Sequence, residues 1–221
     1  MKPSGKINFQ NWSPNLAYAI GLITTDGCLS KDGRHMELTS KDRQQLNTFM
    51  QCLGIKVKIG YKISGYTGRK TTHIQFGDVN FYKFLLSIGL MPNKTKILSK
   101  LKIPDTYFFD FLRGHFDGDG SSYSYWDPRW RSSFMFYINF ISASQKHIQW
   151  LRQTIFRLIQ IKGHISHSKE STVYQLRYAK NDSLILCKHL YYSPDVVCLK
   201  RKLLKINRVL SIINRRNARV L

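Results

Sequence analysis

The sequence predicts an α+β fold of two pseudo-symmetric αββαββα repeats, each an antiparallel four-stranded sheet backed by helices, packed together through one helix from each repeat. Three observations predict it. A nine-residue stretch with glycine third, an apolar residue fifth and Asp-Gly last occurs twice, at 19–27 and at 112–120, close to half a chain apart. After each copy the hydrophobic spacing runs in the same order of hairpin, helix, hairpin, helix. Charge is shared as evenly as length: residues 1–103 hold 16 Lys+Arg against 5 Asp+Glu, and residues 104–221 hold 19 against 8. The two repeats are therefore assigned to 1–103 and 104–221.

Each repeat opens on the helix that carries the repeated stretch. In the first, Ser13 suits the cap, Pro14 the opening helical position, and Leu16, Ile20 and Ile23 recur at helical spacing. Lys31-Asp32-Gly33-Arg34 then reads as a hairpin turn within 28–39. Residues 42–53 place Leu46, Phe49, Met50 and Leu53 on one helical face, ending at Gly54. Ile55, Val57, Ile59 and Tyr61 alternate as a strand whose partner is 73–76, and 81–88 is a helix. The second repeat gives an aromatic hairpin over 121–132 and a half-buried strand over 134–140. A helix over 148–159, a hairpin from 164–167 and 173–178, and helices over 183–190 and 199–213 follow.

The net charge of +22 points to a polyanion, and because both halves carry it, both are expected to touch nucleic acid. Cys28, Cys52, Cys187 and Cys198 form no C-x-x-C pair, which argues against a zinc site and fits a reducing compartment. Residues 1–12 lack the apolar core of a secretory signal, and no run reaches the roughly 18 apolar residues of a membrane span. A soluble intracellular protein with no membrane partner is expected, in a bacterial cytoplasm or an organelle.

Small residues recur every four positions in the first copy (Ala17, Gly21, Thr25), and Gly114 and Gly118 do so in the second. They allow two helices to approach below the usual 8–10 Å, with Gly21 facing Gly114. Asp26 and Asp119 then meet at one end, where two carboxylates need a shared proton or a divalent cation. Gly27 and Gly120 suit a left-handed residue that ends a helix.

Sheet positions facing away from the helices form the expected nucleic-acid surface. They are Lys31, Arg34, Glu37, Lys56, Lys58, Arg69, Lys70, His73 and Gln75 in the first repeat. The second repeat supplies Tyr125, Arg129, Arg131, Tyr137, Asn139, Lys169, Gln175 and Arg177. Strand ribbons fit the major groove, and ten residues span about 33 Å, near one turn of B-DNA.

The stretches LRGHFDGDG and AIGLITTDG resemble the LAGLIDADG motif of homing endonucleases, and the order of elements extends the likeness over nearly the whole chain. The resemblance implies a monomer with two motifs that cuts a long, near-palindromic or asymmetric double-stranded DNA target. One phosphodiester would be hydrolysed on each strand, leaving short 3′ overhangs. It implies Mg²⁺, with Mn²⁺ or Ca²⁺ able to take the same place, held by Asp26 and Asp119 with the carbonyls of Thr25 and Gly118. It also implies catalytic cations at Lys94 and Lys202, with Arg201 competing for the second place, and a structural Asp117. Where many relatives carry a water-positioning Gln, this chain is read as having Ser40 and Ala143. An intron-bearing host, and intron RNA as a further partner, follow from the same likeness. The alternatives on this scaffold are an RNA maturase and a non-catalytic DNA-binding regulator.

Overall fold

The computed structural model describes residues 7–63, 68, 70–130, 132–168 and 170–217. The first half runs α1 (Pro14–Asp26), β1 (Gly27–Leu29), β2 (His35–Ser40), α2 (Arg43–Leu53), β3 (Gly60–Ile63), β4 (Lys70–Gly77) and α3 (Val79–Ser87). The second runs α4 (Phe108–Asp119), β5 (Ser121–Trp126), β6 (Phe134–Ser142), α5 (Gln145–Ile159), β7 (His164–Ser166), β8 (Tyr174–Tyr178) and α6 (Lys180–Leu190), and adds α7 (Lys200–Asn217). The sheets have the same antiparallel order, β1-β2-β4-β3 and β5-β6-β8-β7. The α+β fold of two αββαββα halves is what the sequence predicts.

The two motif helices form the centre. Ser13 caps α1 by accepting from the Leu16 N–H at 3.1 Å, and Pro14 opens it. Every residue from Leu16 to Thr24 is buried, as befits a helix that is apolar all round. The α4 helix is buried almost as fully despite carrying charge, because that charge is used internally. The Arg113 guanidinium donates to Asp110 Oδ1 (2.6 Å), the Leu190 carbonyl (2.9 Å) and the Val197 carbonyl (2.7 Å), which offsets its desolvation. Around this pair, α2 and α3 back the first sheet, and α5 and α6 the second.

Two local expectations change. The third strand begins at Gly60, not Ile55: β4 spans Lys70–Gly77, and its ladder with β3 covers 60–63. Gly27 and Gly120 are not left-handed; their φ values are −95° and −74°, because each helix passes straight into a strand. Their need for glycine is steric. A Cβ on Gly27 would lie 2.6 Å from Ile23 Cα, and one on Gly120 2.4 Å from the Phe116 ring.

Candidate active site and nucleic-acid interface

The motif helices touch backbone to backbone. A Cβ on Gly21 would stand 2.2 Å from the Phe111 carbonyl oxygen, and one on Gly114 would stand 2.1 Å from that of Tyr18. Nearer the C-terminal ends, a Cβ on Gly118 would stand 1.9 Å from Thr25 Oγ1 and 3.2 Å from Asp26 Oδ2. Where one helix carries Thr25, the other therefore has room only for glycine. This contact brings Asp26 and Asp119 to the same end of the helix pair.

Both acids stand at the negative end of a helix dipole, Asp26 half-buried and Asp119 more open to water. Burial, and then the charge of Asp119, raise Asp26 to about 6; burial also raises Asp119. Two lysines offset this charge. Buried Lys94, in the turn 94–96, donates to the Gly27 carbonyl. Lys202, in the first turn of α7, donates to the carbonyls of Phe116 (2.5 Å), Gly120 (2.7 Å) and Gly118 (3.2 Å). Gly27 and Gly120 are equivalent, so the lysines close the two motifs alike. Burial lowers the Lys94 amine and takes that of Lys202 to about 8. Arg201 pairs its Nε with Asp42 Oδ2 at 3.0 Å and lines an open pocket with Asp26, Gln45 and Gly118. Asp117 Oδ2 accepts from the Tyr18 hydroxyl and the Leu199 N–H, each at 2.7 Å, tying α1 and the start of α7 to α4.

Residues 13–89 match the family model described as a LAGLIDADG-like domain. In its whole fold the chain is similar to the LAGLIDADG meganuclease I-AabMI bound to uncleaved DNA, with a TM-score of 0.65, 13% identity and coverage of 94% of this chain and 92% of that one. It is also similar to the N-terminal LAGLIDADG domain of DUF199/WhiA, with a TM-score of 0.54, 18% identity and coverage of 91% and 90%. I-DmoI in complex with DNA and Mn gives a TM-score of 0.51, 16% identity and coverage of 82% and 98%.

This is a LAGLIDADG fold.

Among curated proteins, none matches the sequence. At the identities of the solved structures the likeness is one of fold, so the chemistry of the LAGLIDADG helix ends rests on this chain's own residues.

One such residue escaped the sequence reading. Gln45, in the first turn of α2, is buried and donates from Nε2 to Asp26 Oδ2 at 2.8 Å, while its Oε1 accepts from Ser40 Oγ at 2.8 Å. The signal was its place, third after the Asp42 cap on the helix face that looks inward. Equivalent caps also revise the pairing of Ser40 with Ala143. The Asp42 N–H donates to Ser40 Oγ and the Ser144 N–H to Ser142 Oγ, so Ser142 is the counterpart of Ser40 and Ala143 that of Lys41.

The counterpart of Gln45 is His147, which bonds groups other than Asp119. Its Nδ1 donates to the Ser99 carbonyl at 2.9 Å, leaving Nε2 to accept from His115 Nε2 at 3.3 Å. Burial keeps both imidazoles neutral, taking His147 to about 4 and His115 well below its usual range. The pair lines a cavity of about 70 Å³ with Lys94, Asp119 and Ala143. The two LAGLIDADG acids thus have unlike surroundings.

On the sheets, Glu37, His73 and Gln75 share the open face of the first half with Thr39, Thr71 and Lys62, and Lys62 pairs with Glu37. Lys70 was expected there but has the opposite strand parity, and its Nζ lies 4.3 Å from the Tyr61 ring centroid. Lys56 and Lys58 precede β3 and so lie outside the four-residue strand, while Lys31 and Arg34 lie in the first hairpin turn. Tyr125, Tyr137, Asn139, Gln175 and Arg177 do occupy the open face of the second half, joined by Tyr123. Arg129 is in the loop after β5 and pairs with Asp127 at 3.1 Å. Arg69, Arg131 and Lys169 lie outside the described residues.

All four cysteines are free. Among the described residues, no helix is long and apolar enough to cross a membrane.

Proposed function

We propose that the chain is a site-specific, metal-dependent DNA endonuclease that hydrolyses one phosphodiester on each strand of a long duplex target. The observation that carries this reading is the meeting of Asp26 and Asp119 at one end of the helix pair, between Lys94 and Lys202.

The residues suit a hard divalent cation such as Mg²⁺. Carboxylate and carbonyl oxygens are its preferred donors, and two raised carboxylates gain from a positive partner. Among the described residues no set of three or more His, Cys, Asp or Glu side chains forms a closed metal cluster. A site with few protein ligands suits Mg²⁺, which keeps several waters and takes substrate phosphate oxygens beside one or two carboxylates. Asp26 and Asp119 would hold it, with the carbonyls of Thr25 and Gly118 at hand. When bound, the cation supplies Lewis-acid polarisation of the phosphate and a more acidic water.

The chain's own groups do the rest. Gln45 fixes the orientation of the Asp26 carboxylate through one hydrogen bond. Lys94 and Lys202 place positive charge beside the position where the pentavalent phosphate would gather negative charge. The open sheet faces bind the flanking duplex and set the register. Because both motifs lie in one chain, a monomer suffices and its target can be asymmetric.

The test begins with selection of cleaved sites from a randomised duplex library in Mg²⁺. On the recovered target, Asp26→Asn and Asp119→Asn should each abolish double-strand cleavage while binding stays within about tenfold. Near wild-type cutting of both strands by either variant would overturn the assignment. A wild-type chain that binds its site without cutting would point to the regulator instead.

A further inference from the structure

The two open sheet faces are chemically unlike. The first presents Glu37, Thr39, Lys62, Thr71, His73 and Gln75, with Cys28 and His35 toward the β1–β2 end. The second presents stacked aromatic rings. Tyr123 and Tyr137, directly opposite across β5 and β6, have centroids 4.8 Å apart and planes 16° from parallel. Tyr125 continues the tier, 6.2 Å from Tyr137 at 12° and 6.4 Å from Tyr123 at 4°. Met135 lies opposite Tyr125 on the same face. Arg177 is the only lysine or arginine in β5–β8, and its guanidinium lies 5.7 Å from the Tyr123 centroid and 5.9 Å from that of Tyr137. Tyr125 is 42% exposed and Tyr123 and Tyr137 are half-buried, so the tier is open to a ligand.

We propose that this tyrosine tier reads thymine methyl groups in the half-site bound by the second sheet. The inference rests on the DNA-binding reading above and names the base it selects. In the major groove the base pairs show hydrogen-bonding atoms, except that thymine alone adds an apolar group, its 5-methyl. Ring edges and a methionine gain from covering that methyl, whereas covering an amino or carbonyl group without a partner carries a desolvation cost. Each tyrosine hydroxyl can still make one hydrogen bond to a neighbouring base edge. Among the described residues the first sheet has no tyrosine, phenylalanine or tryptophan on its open face, and no such preference is expected of it.

The experiment is selection by binding, without cleavage, from a randomised duplex library, run in parallel for the wild-type chain and Tyr125→Ala. Wild type should recover a site with thymines clustered on one side, and Tyr125→Ala should lose the preference at one or two of those positions. Replacing those thymines by deoxyuridine removes only the methyl and should weaken wild-type binding about threefold per methyl. The same replacement on the other side should change binding by less than about twofold. A recovered site without clustered thymines, or one indifferent to deoxyuridine, would overturn the tier's role while leaving DNA binding intact. Recovery of no site at all would overturn the DNA-binding reading and this inference with it.

Discussion

Gln45 Nε2 lies 2.8 Å from Asp26 Oδ2, and among the described residues no side chain makes the equivalent bond to Asp119. Gln45 opposes the burial that raises Asp26, so it lowers a carboxyl otherwise pushed further above its usual range. A hydrogen bond to a charged group contributes about 1.5–3 kcal/mol, which corresponds to about one to two pH units. Gln45→Leu should therefore move the acidic limb of the cleavage profile upward by about one unit. Cutting at pH 6.5 would fall and cutting at pH 8.5 would largely survive. An unmoved profile on supercoiled DNA carrying the target would remove Gln45 from the site.

Gly118 and Thr25 form a steric pair. A methyl on Gly118 would meet Thr25 Oγ1 at 1.9 Å and Thr25 Cβ at 2.7 Å. Gly118→Ala should cost about 1–3 kcal/mol by overpacking. Thr25→Gly in the same chain should return much of that loss, giving a favourable coupling energy on the order of 1 kcal/mol. Denaturant melts of the two single variants and the double variant measure it; strict additivity would place the two residues apart.

Asp117 provides a sign test. Burial raises it to about 6, above the 3.8 of an ordinary aspartate. Its ionised form is thus disfavoured in the fold, so its contribution to stability is best below about pH 4, declines as pH rises to about 6, and is flat beyond. Both donors use Oδ2, and among the described residues Oδ1 has no partner. Asn can place its oxygen at the bonded position and carries no charge. Asp117→Asn should melt no lower than wild type at pH 8, be more stable there by on the order of 1–2 kcal/mol, and flatten the pH 4–6 dependence. It should also retain cleavage, unlike the substitutions at Asp26 and Asp119. A variant that melts normally but does not cut would make Asp117 a functional acid.

Salt should weaken binding steeply. With +22 on the chain, at least about six neutralised phosphates are expected, giving a log–log slope near −5 or steeper. Fluorescence anisotropy from about 50 to 300 mM salt measures it. A slope shallower than about −2 would assign the charge to another purpose.

Sequence alone determined the duplicated architecture, the two motif helices and the paired acids. These are local or periodic signals: Ser13 and Pro14 mark a helix start wherever they fold, and Asp-Gly at the same place in two matched stretches requires no contact to be noticed. Tertiary structure decided how these parts meet. Gln45 looked like one polar residue on an amphipathic helix until α2 packed beside α1 and carried its amide to Asp26. Lys70 was assigned to the open face from residue type, but pairing fixed its parity and turned it the other way. A glycine closing each motif suggests a left-handed residue at 27 and 120, whereas the chain there goes directly into a strand and the helix behind leaves no room for a Cβ. His147 stands where Gln45 does and points elsewhere, because the carbonyl of Ser99 and the ring of His115 hold it. Periodicity reports which face of an element is buried; only packing reports what that face meets.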